Sequence, residues 1–252
     1  MNYKFGAIIQ ARQSSSRFPN KVIKNILRKP LIVRLIEQIS YSKRLDKIIV
    51  ATSTEKSDDT LYNVCKTNNI ECYRGELDNV LKRYIDAADY YNIDTVIRIT
   101  GDNPLIDPEL IDNMISLFES KNELDYINNV HKYGSVHGSG CELIKFTCLK
   151  SSYQIIKDQK DKDEYLEHVT LFIRKNPDKF NIHMFVPPEN LCRPEISYSV
   201  DYPEDLQVIK YIYNKLYTEY NYIKTSDVLK LLDSTPEVKM LNKNLHKSLP
   251  EY

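Results

Sequence analysis

Three cations and three hydroxyls crowd the segment Gln10-Ala11-Arg12-Gln13-Ser14-Ser15-Ser16-Arg17-Phe18-Pro19-Asn20-Lys21. Guanidinium forks match phosphate oxygens two at a time, an ammonium adds a point charge, and serine hydroxyls with backbone N–H groups supply further donors. The segment is suited to gripping a polyphosphate; the plain alternative is a basic surface loop. Two carboxylates form a second constellation. Asp102 follows the run Val96-Ile97-Arg98-Ile99-Thr100, and Asp201 follows residues 196–200, each at the end of a predicted strand and ahead of a proline-led helix. If those strands run parallel in one sheet, their ends share a rim, and two carboxylates facing a phosphate loop suit a Mg²⁺ ion bridging phosphates. The alternative for each is a carboxylate near a helix N-terminus, worth about 0.3–1 kcal/mol. That alternative is weaker for Asp102, because Asp107 already serves as the cap of the next helix.

The elements that must position these residues alternate as βα units. Strands are predicted at 5–10, 47–51, 71–74 and 95–99, separated by amphipathic runs. Pro30 opens one helical run with Leu31, Val33, Leu35, Ile36 and Ile39, and Asp78 is the expected cap of another carrying Val80, Leu81, Tyr84, Ile85 and Ala88. Asp107-Pro108-Glu109 is a helix start on three counts, with a capping side chain, a proline at the first helical position and an acidic first turn. The character changes over 125–146, where two short apolar runs flank a Gly/Ser/His segment. This reads as an inserted hairpin or flap within a single domain spanning 1–252, with a tail over 234–252. Beyond it come a helix ending at Lys175, strands at 180–186 and 196–200, a helix from Pro203 and a last helix over 226–232. An open α/β sheet binds ligands beyond the carboxyl ends of its strands, and the basic loop leaves the first strand there.

Composition bounds the remaining possibilities. The chain has 252 residues, with 35 Lys+Arg balanced by 35 Asp+Glu, so no global field draws it to nucleic acid or anionic lipid. At 42% hydrophobic and 28% charged residues, with no apolar run near the ~18 residues of a membrane span, it reads as a soluble globular protein. The first ten residues lack the pattern of a secretory signal, which makes a cytoplasmic location the expectation. Five cysteines without C-x-x-C spacing argue for reduced thiols, and six glycines without a G-x-G-x-x-G or P-loop pattern argue against a dinucleotide fold or a Walker site. The lone D-x-D, Asp161-Lys162-Asp163, lies in a charged run rather than after a core strand, which weighs against a nucleotide-sugar glycosyltransferase.

Several motifs occur in order: Ile8-Ile9-Gln10-Ala11-Arg12 through Pro19-Asn20-Lys21, Ala51-Thr52-Ser53, Arg74-Gly75, Thr100-Gly101-Asp102-Asn103-Pro104-Leu105-Ile106-Asp107, Glu167-His168-Val169-Thr170, and Val200-Asp201-Tyr202-Pro203-Glu204-Asp205-Leu206. Over about residues 5–216 the chain resembles cytidylyltransferases of the spore-coat polysaccharide F type, which are similar to CMP-sugar synthetases for sialic acid and 3-deoxy-manno-octulosonate. The resemblance implies a Rossmann-like nucleotidyltransferase fold of three layers, CTP as donor, Mg²⁺ as cofactor, a small acceptor and a homodimer built through the flap. It places Arg12, Arg17 and Lys21 on the triphosphate, with Ala11 and Ser14 in the same loop. It places Asp102 and Asp201 on the metal, and Thr52, Ser53, Arg74 and Gly75 around cytosine and its ribose. Glu142 and His168 are the expected acceptor-binding residues, with His168 as an auxiliary base; the flap histidines His131 and His137 are lesser candidates. The sequence departs from the family pattern in three places. Ser14 stands where glycine is usual, Gly140 replaces an acidic residue two before Glu142, and Leu166 replaces an arginine two before His168. The last two imply an altered acceptor pocket, for an acidic sugar or alternatively a phosphonate or phosphate.

Overall fold

Near-continuous apolar runs mark strands buried on both faces, and β1 (Phe5–Gln10) is such a strand at the heart of the molecule. The computed structural model describes residues 4–121, 123–129, 135–243 and 245–246. β1 lies between two parallel neighbours, β4 (Lys47–Ser53) and β6 (Thr95–Thr100). Register sets Gln10 opposite Ala51 on one side and Thr100 on the other, so the carboxyl ends of three strands finish at one level. β5 (Glu71–Gly75) extends the sheet beyond β4. A small hairpin of β2 (Asn25–Ile26) and β3 (Lys29–Pro30) stands apart.

The segment 125–146 forms the expected hairpin pair, and that pair lies within the sheet. Its strands β7 (Tyr126–Asn128) and β8 (Glu142–Lys145) join in the order β6-β8-β7, with β8 antiparallel to both neighbours, and β9 (Ile182–Met184) closes that edge parallel to β7. Tyr126, Ile127, Leu143 and Ile144 are all buried, so these residues complete the core and could not stand free in solvent. Ser135 and His137, between these strands, make isolated bridges to Cys192 and Ser197 outside the sheet, and His131 falls outside the described residues.

Helices cover both faces. On one side α1 (Leu31–Ile39), α2 (Asp59–Thr67) and α4 (Pro108–Ser120) pack against Phe5, Ala7 and Ile9 of β1. On the other, Ile8 faces α3 (Val80–Tyr90), α5 (Phe146–Ile156) and α7 (Leu171–Lys175), giving a three-layer α/β sandwich. A third cluster joins the β2–β3 hairpin to α8 (Pro203–Leu216) and α9 (Thr225–Ser234), with a last short α10 (Pro236–Lys239). The Asp107 cap is as expected, its Oδ1 accepting the Glu109 N–H at 3.0 Å. The cap of α3 is Asn79, which accepts from Lys82, in place of Asp78. Helices α2 and α5 are additions to the elements read from the sequence. The single helix expected to end at Lys175 is two, α6 (Lys162–Glu167) and α7, broken at His168. All five cysteines are free thiols, and no helix among the described residues is long and apolar enough to cross a membrane.

Candidate active site

The loop after β1 folds over the carboxyl edge because a buried carboxylate holds it there. Asp58, wholly buried ahead of α2, accepts the Gln13 N–H at 2.7 Å and the Ser53 N–H at 3.3 Å, and the Ser53 hydroxyl also donates to it. Gln13 answers with its side chain, taking the Leu61 N–H at 2.9 Å and donating to Asn20 at 2.8 Å. Asn20 sits at φ 61°, a left-handed conformation that asparagine tolerates, and turns the chain so that Lys21 points inward. Gly101 permits the close approach on the other side; a Cβ there would lie 2.8 Å from the Ala11 Cβ. Ser14 is exposed, and its backbone is not left-handed, so the fold places no demand for glycine at that position.

Lys21 is the centre of the site. Its ammonium donates to Asp102 Oδ2 at 2.6 Å and to Asp201 Oδ1 at 2.9 Å, and Arg17 reaches the same Asp201 oxygen at 2.7 Å. The two carboxylates thus meet across one cation. Burial alone would lower the Lys21 pKa, but the paired carboxylates outweigh it and hold the ammonium above its ordinary range. Burial would likewise raise Asp102, yet Lys21 and a hydrogen bond from Thr100 keep it below the usual carboxylate range. Asp201 reaches this position by a route other than the expected sheet strand. Residues 196–200 are extended, but their ladder contact is a single bridge from Ser197 to His137; Val200 then donates its N–H to the Asp102 carbonyl at 2.9 Å. Ile196, Tyr198 and Val200 bury their side chains in the α8–α9 cluster, which satisfies their apolar pattern without a place in the sheet.

One cavity adjoins this cluster, and a second shares Arg12 with the first. The smaller, about 240 Å³, is lined by Gln10, Ala11, Arg12, Ser15, Ser16, Arg17, Lys21, Val22, Thr100, Gly101 and Asp102. The larger, about 590 Å³, runs from Arg12 along residues 76–80 to Lys162, Asp163, Leu166 and Glu167 of α6. Gln10 was not singled out from the sequence; its Oε1 is buried without a hydrogen-bond partner beside the smaller cavity. Asp58 was also missed, although Asp58-Asp59 ahead of Leu61, Val64 and Cys65 at helical spacing is a helix-start signal.

Of the residues expected around the base, Ser53 and Arg74 are paired within the fold. Thr52 is fully buried with an unpartnered hydroxyl, and Ser53 is committed to Asp58. Arg74 donates to the Ser53 and Glu55 carbonyls at 2.7 and 2.9 Å, pairs with Asp59 at 2.8 Å and lies over the Tyr62 ring. Its guanidinium therefore ties down the turn after β4. Neither these residues nor Ser14 and Gly75 line either cavity.

Glu142 and His168 are linked through the break between α6 and α7. One Glu142 oxygen accepts from Thr170 at 2.8 Å and from Tyr126, and the other pairs with Arg98. Burial would raise Glu142, but Arg98 and then Arg174 override it, leaving the carboxyl below its ordinary value. Glu142 thus anchors the turn bearing His168, which is half-buried and lines neither cavity. The preceding Glu167 approaches Arg12 to 3.9 Å. A Cβ added at Gly140 would meet nothing closer than the Asn129 Oδ1 at 3.7 Å, so no steric demand fixes glycine there.

A carboxylate held low stabilises the fold above its unfolded pKa and loses that contribution as pH falls through its lower folded value. Asp102 and Glu142 both behave so. Stability is expected to be level above about pH 5 and to decline below about pH 4, measured by urea denaturation across that interval.

A mostly parallel sheet with a cationic loop and two carboxylates at its carboxyl edge is a Rossmann-like fold with its ligand site at the rim where open α/β sheets bind. The cytidylyltransferase family profile matches residues 6–232, and the chain belongs to that family. It is 33% identical over 235 residues to the spore coat polysaccharide biosynthesis protein SpsF of Bacillus subtilis, covering 91% of this chain and 94% of that protein. It is 30% identical over 128 residues to the 3-deoxy-manno-octulosonate cytidylyltransferase of Chlamydia trachomatis, about half of each chain. A solved cytidylyltransferase structure from Leptospira borgpetersenii superposes with a TM-score of 0.87 at 25% identity, covering 100% of both chains.

Proposed function

We propose that the chain transfers CMP from CTP to an oxygen nucleophile on a small acidic sugar, releasing pyrophosphate. The observation that carries this reading is the convergence of Arg17, Lys21, Asp102 and Asp201 on one point beside the smaller cavity. In-line attack at the α-phosphorus requires positioning and charge neutralisation more than covalent help. Arg12, Arg17 and Lys21 neutralise the departing pyrophosphate. Asp102 and Asp201 would hold Mg²⁺, and the donor set fits: two oxygen ligands already share a cation, and phosphates and water complete such a site. When bound, the ion supplies charge neutralisation at the phosphates. In this reading base and ribose take the larger cavity beyond Arg12, along residues 76–80, whose wall Thr52, Ser53 and Arg74 do not line.

A pyrophosphate-release assay across the four nucleoside triphosphates, with 3-deoxy-manno-octulosonate, sialic acid and a phosphonate as acceptors, tests the reading. CTP with a sugar acid is the expected pair. Equal turnover with ATP or GTP would sink the donor assignment, and turnover with the phosphonate alone would replace the acceptor.

His168 acts on the acceptor in this reading, placed by the Glu142–Thr170 anchor. His168→Ala is expected to depress kcat/KM for the acceptor while leaving calorimetric CTP affinity unchanged. Equal loss of CTP affinity would move His168 to the nucleotide side. The homodimer is part of the proposal, and light scattering at twice the 29.5 kDa chain mass is the expected result.

A further inference from the structure

We infer that the C-terminal segment is a latch that positions Asp201 through Asp205. Asp205 is 1% exposed and occupies the third position of α8, where a carboxylate ordinarily returns to the N-cap amide alone. Here Oδ2 accepts the N–H of Tyr202 at 2.8 Å and also that of Asp201 at 2.9 Å. The residue whose side chain meets Lys21 and Arg17 is therefore fixed through its own backbone. The other oxygen turns away from the helix and is filled from the far end of the chain. Asn242 Nδ2 and His246 Nε2 each donate to Oδ1 at 2.8 Å.

The donors are themselves held in place. Asn242 is 5% exposed and lies against the Ser197 carbonyl at 3.4 Å. The His246 ring packs on His137 with centroids 5.1 Å apart and edge-on to Tyr202. His137 in turn contacts the Ser197 hydroxyl at 2.9 Å, on the extended segment that delivers Asp201. Three stretches distant in sequence thus close around one carboxylate. Four donors saturate Asp205, so it can neither rotate nor take up water without losing a bond; removing a tail donor frees one oxygen and slackens the grip on the Asp201 amide. Groups that orient a ligand from behind commonly change metal affinity by tenfold or more. As far as it concerns the metal, the latch rests on the function proposed above.

Hydrogen exchange and metal binding separate the possibilities. In His246→Ala and Asn242→Ala, amides of the 198–206 stretch are expected to exchange several-fold faster, with β1 and β6 unchanged. Affinity for Mn²⁺ in the presence of CTP, read by electron paramagnetic resonance, should fall roughly tenfold, while CTP binding in chelator stays as in the wild type. His246→Gln keeps a donor in the same region and should restore both readouts, which a loss of general stability would not do. Wild-type exchange in the alanine variants, undiminished Mn²⁺ affinity despite faster exchange, or failure of His246→Gln to restore them would each overturn the latch. If the wild type bound no Mn²⁺ with CTP, the proposed function would fall, and the exchange arm alone would decide whether the tail fixes this turn.

Discussion

Asp102→Asn and Asp201→Asn are each expected to lower turnover by roughly a hundredfold or more while the protein stays folded. The magnitude follows from what the pair does in the proposed reaction. A metal's charge neutralisation is worth several kcal/mol, and each 1.36 kcal/mol is a factor of ten in rate. Asparagine keeps the shape and one acceptor oxygen but loses the charge. The fold tolerates the change because Lys21 retains its other carboxylate partner. Steady-state kinetics over a Mg²⁺ titration, alongside thermal denaturation, make the check. The apparent requirement for Mg²⁺ should rise with the loss of turnover, and the melting temperature should move little. Near-wild-type turnover at limiting Mg²⁺ would reduce that carboxylate to a partner of Lys21.

The largest effect on stability is expected from Glu142→Gln. The side chain accepts from Tyr126 and Thr170 and is the counter-ion of Arg98, which it meets across the antiparallel β6–β8 pairing. An isosteric amide leaves Arg98 without its counter-ion, at a cost of about 3 kcal/mol, the low end for a broken buried pair because both side chains keep some solvent contact. For a chain of this size that is a fall in Tm of roughly 6–12 °C. Replacing both partners, as Arg98→Met with Glu142→Leu, should recover part of the loss, since no isolated charge then remains buried. Denaturant titration of both singles and the double measures the coupling. If Glu142→Gln matched the wild type in stability and lost only acceptor affinity, the residue would be an acceptor ligand, as the family resemblance implied.

The fold was largely legible along the chain where the signal is repetitive. β1, β4, β5 and β6 begin where expected, and the last three run past their expected carboxyl ends, by two residues in β4 and by one each in β5 and β6. Helix α2 was hidden because its polar residues dilute the stripe, Leu61 and Cys65 being its buried positions. The 125–146 segment read as a flap because its strands are short and interrupted by Gly, Ser and His. Two neighbours, β6 and β9, supply the pairing that makes β8 and β7 part of the sheet.

What the sequence determined by itself are the features that depend on adjacent residues: the buried strands, the Asp107-Pro108 helix start, and a cationic loop leaving the first strand. Covalent geometry sets these, because helix and strand periods and cap bonds span only a few positions. Tertiary structure decided which polar groups remain available to a ligand. Lys21 finds Asp102 and Asp201 at separations of 81 and 180 residues, Arg74 and Ser53 are consumed by the turn after β4, and Asp205 waits on donors from the tail. A buried polar group must be paired, and its partner is chosen by packing across the whole chain.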